Sequence, residues 1–235
     1  MSPNKKGLLF PAATGLVYTA LFFWSFRFCY FWDVIQQVSK EAHWYYLTNF
    51  SGSLLIHPLP GIAITPTGYH PPLISMITAV LWKIFGYELW VSHAFTFGCA
   101  LLLIYHTWKL LRLLLPENRT GGTLLILLLE STVVTQFIIA SPDFILLTAF
   151  VISLRAILQN KPVWLSVSLI FLCCANIRGL FTGILLFLSH FYYHFYVIRQ
   201  KKCSFGECGK LLLPYLPAAG LLLSYFVYYF SHNGW

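Results

Sequence analysis

Gly7 to Trp32 reads GLLFPAATGLVYTALFFWSFRFCYFW, an apolar run in which Arg27 is the only charged side chain. Lys5 and Lys6 stand directly before it. A helix that crosses the hydrocarbon core of a bilayer needs about 20 mostly apolar residues, and this run exceeds that length. It is longer than the apolar core of a signal peptide and lacks a small-residue cleavage site, so it reads as an uncleaved first span. Composition agrees. Of 235 residues, 58% are apolar and only 9% are charged, against about 25% charged in a soluble domain. A water-soluble fold could not hide so much apolar surface.

Beyond this run, residues 33–70 hold no span and mix acids, aromatics, histidines, Gly and Pro. Pro71 to Phe85 is apolar but short and carries Lys83, which fits an interfacial or re-entrant helix better than a crossing. Further spans are expected at about 89–111, 123–140, 143–159, 163–177, 179–198 and 211–230. Glu130 falls inside the second of these, and Asn176-Ile177-Arg178-Gly179 marks a hairpin. The expected fold class is an all-α polytopic membrane protein. It forms one transmembrane domain over residues 1–235, with about seven transmembrane helices and an outer first loop, 33–88, carrying amphipathic or interfacial helices.

The basic residues orient this arrangement, because loops facing the cytoplasm hold an excess of Lys and Arg. With the N-terminus inside, all of the 15 basic residues except Arg27, Lys40, Lys83 and Arg178 fall on the inner side. Asp33, Glu41, Glu88 and Asp143 fall outside. The net charge of +8 is scattered between apolar runs rather than gathered on a stripe, so no nucleic-acid partner is expected. The partner that the composition does demand is the lipid bilayer.

The first loop then reads as chemistry. Asp33 stands at the outer end of the first run, followed by Gln36, Gln37, Lys40, Glu41, His43, Trp44, Tyr45 and Tyr46. That mixture suits an amphipathic helix lying along the membrane, although the aromatic residues are equally explained as interfacial anchors.

The order of Asp33, the loop helix Ser39-Lys40-Glu41-Ala42-His43-Trp44, then Gly68-Tyr69-His70-Pro71-Pro72-Leu73 and Trp82-Lys83-Ile84-Phe85-Gly86 resembles the N-terminal part of the protein O-mannosyltransferase and aminoarabinose-transferase superfamily. These are glycosyltransferases of the GT-C type. Ser141-Pro142-Asp143 opening a helix is also similar to the family. The resemblance covers roughly residues 20–190. It implies transfer of a sugar from a polyprenyl-phosphate-linked donor to a lipid, glycan or protein acceptor on the outer face, by displacement with inversion. It further implies that Asp33 is the base that takes the acceptor proton and that His70, before Pro71-Pro72-Leu73, meets the phosphate. Arg178 is a second candidate for that charge, because a basic residue at membrane depth is expensive and finds a partner. Lys83, Glu41 and Asp143 complete the expected substrate-binding set.

The family carries a second acid directly after the first, and Val34 stands there instead. Glu41, seven residues beyond Val34, does not recreate an adjacent pair. Members also usually continue with several more helices, so the resemblance implies a fragment, a truncated product or an unusually short member, with a partner subunit conceivable. A non-catalytic relative that binds the carrier lipid or assists another enzyme is the alternative, and a transporter ranks below both. A bacterial inner membrane is the expected home. HExxH, paired Cys-x-x-Cys, P-loop and dinucleotide glycine motifs do not occur in the sequence, so neither metal nor cofactor is indicated. Cys99, Cys173 and Cys174 read as packing residues, Cys203 and Cys208 as reduced cytosolic thiols, and Gly179 with Gly183 as a helix-packing face.

Overall fold

The computed structural model describes residues 5–28, 38–51, 71–199 and 205–233. Among them every regular element is helical. In chain order these are α1 (Lys5–Ser25), α2 (Lys40–Thr48), α3 (Leu73–Phe85), α4 (Leu89–Leu114), α5 (Glu117–Leu128), α6 (Ser131–Ile138), α7 (Pro142–Leu158), α8 (Pro162–Ala175), α9 (Ile177–Tyr192), α10 (Phe205–Leu212) and α11 (Leu216–Asn233). A π-helical segment, Tyr193–Arg199, extends α9. A single 3₁₀ turn, Leu213–Tyr215, joins α10 to α11. The interior is built on α7 and α8, with α4 packed on α7 and both α9 and α11 packed on α8.

Three stretches are long and apolar enough to cross a membrane: Leu8–Ser25, Leu89–Leu114 and Cys208–Ser231. The pair α5 and α6 makes a fourth if it is counted as one bent span. The stretch from Pro142 to Tyr192 divides differently, into helices of 17, 14 and 16 residues. The first two are shorter than the roughly 20 residues of an untilted crossing, whereas the third reaches that length with its π-helical extension to Arg199. Two breaks explain the lengths. Pro142 and Pro162 each open a helix in its first turn, where the missing N–H costs nothing. Asn176 ends α8 in an extended conformation and caps α9 through its side chain, which accepts from the Arg178 N–H at 3.1 Å.

The first helix is shorter than its apolar run. It ends at Ser25 rather than Trp32, where Arg27 and Phe28 donate to the carbonyls of Trp24 and Ser25 in turn geometry. The Ser25 hydroxyl bonds back to the Phe22 carbonyl at 2.7 Å and lies 3.2 Å from His93 Nδ1 of α4. A serine that engages its own helix's carbonyl competes with the regular ladder, which favours an ending there.

Glu130 is also relocated. It sits exposed at a 54° bend between α5 and α6, not within a straight span. Its carboxylate accepts from the N–H groups of Thr132 and Val133 at 2.8 and 3.1 Å, capping α6. With Thr132 so engaged, the Leu128 carbonyl loses the donor a continuous helix would supply. The fully buried Tyr18 hydroxyl of α1 donates to it at 2.6 Å. One helix thus repairs the break in another, as an apolar setting requires.

The expectation of a reduced Cys208 is overturned, because Cys208 is disulfide-bonded. Cys203 lies outside the described residues.

Gly179 and Gly183 do form a packing face. A Cβ at Gly179 would stand 1.8 Å from the Leu172 carbonyl oxygen of α8 and 2.8 Å from the Leu146 side chain of α7, and one at Gly183 would meet Cys173 Sγ at 2.5 Å. Gly220 of α11 has nothing within 4 Å. Gly179→Ala should therefore lower the thermal stability of the detergent-solubilised chain by about 1–3 kcal/mol through overpacking, while Gly220→Ala leaves it unchanged or slightly raised. Equal melting temperatures for the two variants would contradict this packing.

Candidate functional site at one end of the bundle

Glu41 lies in the first turn of α2 and is 5% exposed. Its Oε2 accepts from the Ser75 hydroxyl of α3 at 2.8 Å. Eight residues further along both helices, the Lys83 ammonium donates to Asn49 Oδ1. Matching offsets in the two pairs mean that α2 and α3 run side by side in the same direction. The Lys83 ammonium also sits 4.4 Å above the Tyr46 ring, and Trp82 packs edge-on to Tyr46 and Tyr87. Lys83 is thus engaged within the α2–α3 pair. The buried Trp82 indole Nε1 has no hydrogen-bond partner among the described residues.

Burial of a carboxylate is costly unless it is hydrogen-bonded, so Glu41 depends on the donors around it. Tyr45, one turn on, is buried beside it. Burial first, and then the Glu41 charge, push the Tyr45 phenol well above its ordinary range. Tyr45 therefore stays a neutral hydroxyl in any physiological setting. The Tyr225 phenol of α11 is in electrostatic contact with Glu41, which ties the last helix to this end of the bundle.

Asp143 and Arg178, candidates separated by 35 residues, are brought together. Arg178 Nη1 donates to Asp143 Oδ2 at 3.0 Å, with the arginine side chain 75% and the aspartate 36% exposed. The pairing follows from two caps. Ser141 Oγ accepts from the Asp143 N–H at 3.2 Å at the start of α7, and Asn176, itself buried, starts α9. Both charged residues are thereby fixed in the opening turn of neighbouring helices, at one level. An ion pair this exposed contributes only about 0–1 kcal/mol in water. Its consequence is positional: it holds a guanidinium fork at the rim with most of its surface open.

The ends of these elements converge. Val38, Ser39, Ile74, Thr78, Ser92, Ala140 and Ile145 surround one small cleft, which places the starts of α2, α3, α4 and α7 together. Asp33, Val34 and His70 lie outside the described residues. Val38, the first described residue after Asp33, and Ile74, four positions beyond His70, both line this cleft. Ser75 as the donor to Glu41 had no sequence signal, since it stands inside an apolar run. The exchange between Asn176 and Arg178 was signalled by the Asn-x-Arg-Gly break.

Ser75→Ala, which removes the donor and leaves the buried carboxylate short of a partner, should destabilise the chain by about 1–3 kcal/mol. Ser75→Ala combined with Glu41→Gln should cost less than the sum of the two single changes, and additive costs in thermal melting would sink the coupling. Comparison of the chain with protein-family models, curated proteins and solved structures gives no match.

Proposed function

We propose that the chain is a membrane glycosyltransferase of the GT-C type. It moves a sugar from a polyprenyl-phosphate donor to an acceptor at the outer face by inverting displacement. Supporting this reading is the convergence at one end of the bundle of a buried acid, Glu41, an open guanidinium, Arg178, and the chain segments that follow Asp33 and His70 in sequence. A displacement at an anomeric carbon needs a base for the acceptor hydroxyl and positive charge or donors where the phosphate departs. In this reading Asp33 is the base, and His70 and Arg178 receive the phosphate. Asp143 holds Arg178 in place. Glu41 lines the approach of the sugar or acceptor, and Lys83 holds α2 and α3 together at their other end.

Seven crossings with a cytoplasmic N-terminus complete the proposal, in a bacterial inner membrane. The short helices α7 and α8 then act with α9 as three tightly packed crossings, in a bilayer locally thinned around the first two. The Cys208 disulfide argues for an oxidising environment at that loop, whereas the basic residues at three separate joints argue for the cytoplasm. The charge bias is the broader signal and sets the orientation adopted here. Val34, in place of a second acid, favours one other reading, a relative that binds the carrier lipid without transferring the sugar.

Sugar transfer from radiolabelled polyprenyl-phosphate sugars, measured in membranes expressing the chain, separates the two. The enzyme reading expects transfer that falls by about 10²–10⁴ in Asp33→Asn, the usual weight of a general base. It also expects a smaller loss in Arg178→Gln that Arg178→Lys partly restores. Carrier-lipid binding without transfer in the native chain would establish the binding reading instead. Modification of Cys208 by a membrane-impermeant thiol reagent, after reduction, from the outside of intact cells would reverse the orientation.

A further inference from the structure

A second feature starts beside the Asp143–Arg178 rim, sharing Phe95 and Ile145 with the cleft there, and runs away from it. A groove of ≈ 530 Å³ runs between α4, α7 and α8, floored by Phe95, Gly98 and Leu102 of α4, Ile152 of α7 and Val167 of α8. From Trp90 to Leu102, both on its wall, it follows α4 for about 18 Å at the helical rise.

The far end of the groove is headed by charge. Ile152 and Arg155 are three residues apart on α7, and Leu102 and His106 are four apart on α4, so each polar residue continues the stripe that lines the groove. Trp164 lines the groove, and its ring lies 5.7 Å from the His106 ring. Arg155 Nη1 is 3.3 Å from His106 Nδ1, and Arg155 Nε donates to Gln159 Oε1 at 3.1 Å. The guanidinium stands 5.3 Å above the Tyr105 ring, and Lys109 reaches the same ring at 5.9 Å. Neither acceptor of Arg155 carries negative charge. Among the described residues it has no carboxylate partner, the one ion pair there being Arg178–Asp143. A cation heading an apolar groove near a helix end, at the level of the membrane interface, favours an anionic partner there.

We propose that Arg155, with Lys109 beside it, binds the phosphate of an anionic phospholipid whose acyl chain lies in the α4–α7–α8 groove. The argument is charge complementarity joined to shape. A free inorganic anion would satisfy Arg155 but leave the groove unused, and a zwitterionic lipid would fill the groove but neutralise the cation less well. The charged heads of the two sites are separate, since Asp143 and Arg155 are twelve residues apart along α7, about 18 Å, and the groove between them carries the acyl chain. In the orientation given above, it draws its lipid from the inner leaflet, whose basic loops favour anionic headgroups.

The test is native mass spectrometry of the full chain in mild detergent, titrated with phosphatidylglycerol and phosphatidylcholine of the same acyl composition. Expected is a preference of about fivefold for phosphatidylglycerol, the usual weight of one basic residue at an anionic headgroup. Arg155→Gln should abolish the preference, and Arg155→Lys should keep most of it. Gly98→Leu fills the groove at a position where a Cβ meets nothing within 4 Å, and it should weaken binding of both lipids. Equal retention of the two lipids by the native chain would overturn the proposal, as would Gly98→Leu binding that matches native. Full displacement of phosphatidylglycerol by inorganic phosphate would overturn it too, revealing a simple anion site. If Arg155→Gln does not elute as a monodisperse species, Arg155→Lys and Gly98→Leu carry the decision. No sugar donor is present, so failure here leaves the transferase reading untouched.

Discussion

In apolar surroundings a backbone N–H, a carbonyl or a charge that loses its partner has no water to turn to, and this constraint organises the chain. Three of the helix breaks carry their own side-chain repair. At the α5–α6 bend, Glu130 caps the new helix and Tyr18 of α1 takes the Leu128 carbonyl. Ser141 and Asn176 do the same work at the starts of α7 and α9. Because repairs must sit where helices break, they gather polar groups at the ends of the bundle. The caps of α7 and α9 are what bring Asp143 and Arg178 to one level.

The two ends of α7 consequently differ in kind. Its first turn presents an ion pair beside a buried acid and the parallel helices α2 and α3, an arrangement able to meet a polar headgroup and a sugar. Its last turns present Arg155 without a carboxylate, surrounded by His106, Tyr105 and Trp164. Between them runs an apolar groove. A balanced pair at the rim can exchange partners with a charged ligand at little cost, whereas an unbalanced cation at the other end of the bundle favours a lasting counter-ion. That contrast separates the proposed transfer site from the proposed lipid site on one scaffold.

Much of the helical layout was legible in the sequence. Length and apolarity marked α4 and α11, the short run ending at Gly86 marked α3, and the acids and aromatics after Ser39 marked α2. The close approach at Gly179 was legible as well, from small-residue spacing alone. What escaped was governed by single hydrogen bonds. An apolar run carries no sign of where its ladder will stop, so Ser25 as a helix end and Glu130 as a cap inside the run 123–140 could not be told from span residues. Asp143 and Arg178 were picked out separately, yet their pairing depends on how α7 and α9 pack, which periodicity does not encode. Arg155 was counted only as a topology signal, because the imidazole and groove that give it meaning come from another helix and from the space between helices.

The central claim is that the end of the bundle bearing Glu41, Asp143 and Arg178 receives a sugar-bearing lipid phosphate. The most direct measurement is photo-crosslinking with a polyprenyl-phosphate sugar carrying a photoreactive group next to the phosphate, followed by mapping of the labelled peptides. The account predicts labelling confined to the segments around α2, the start of α3 and the opening turns of α7 and α9, and diminished by Arg178→Gln. Labelling centred on Tyr105, His106 and Arg155, or spread evenly over the lipid-facing surface, would contradict it.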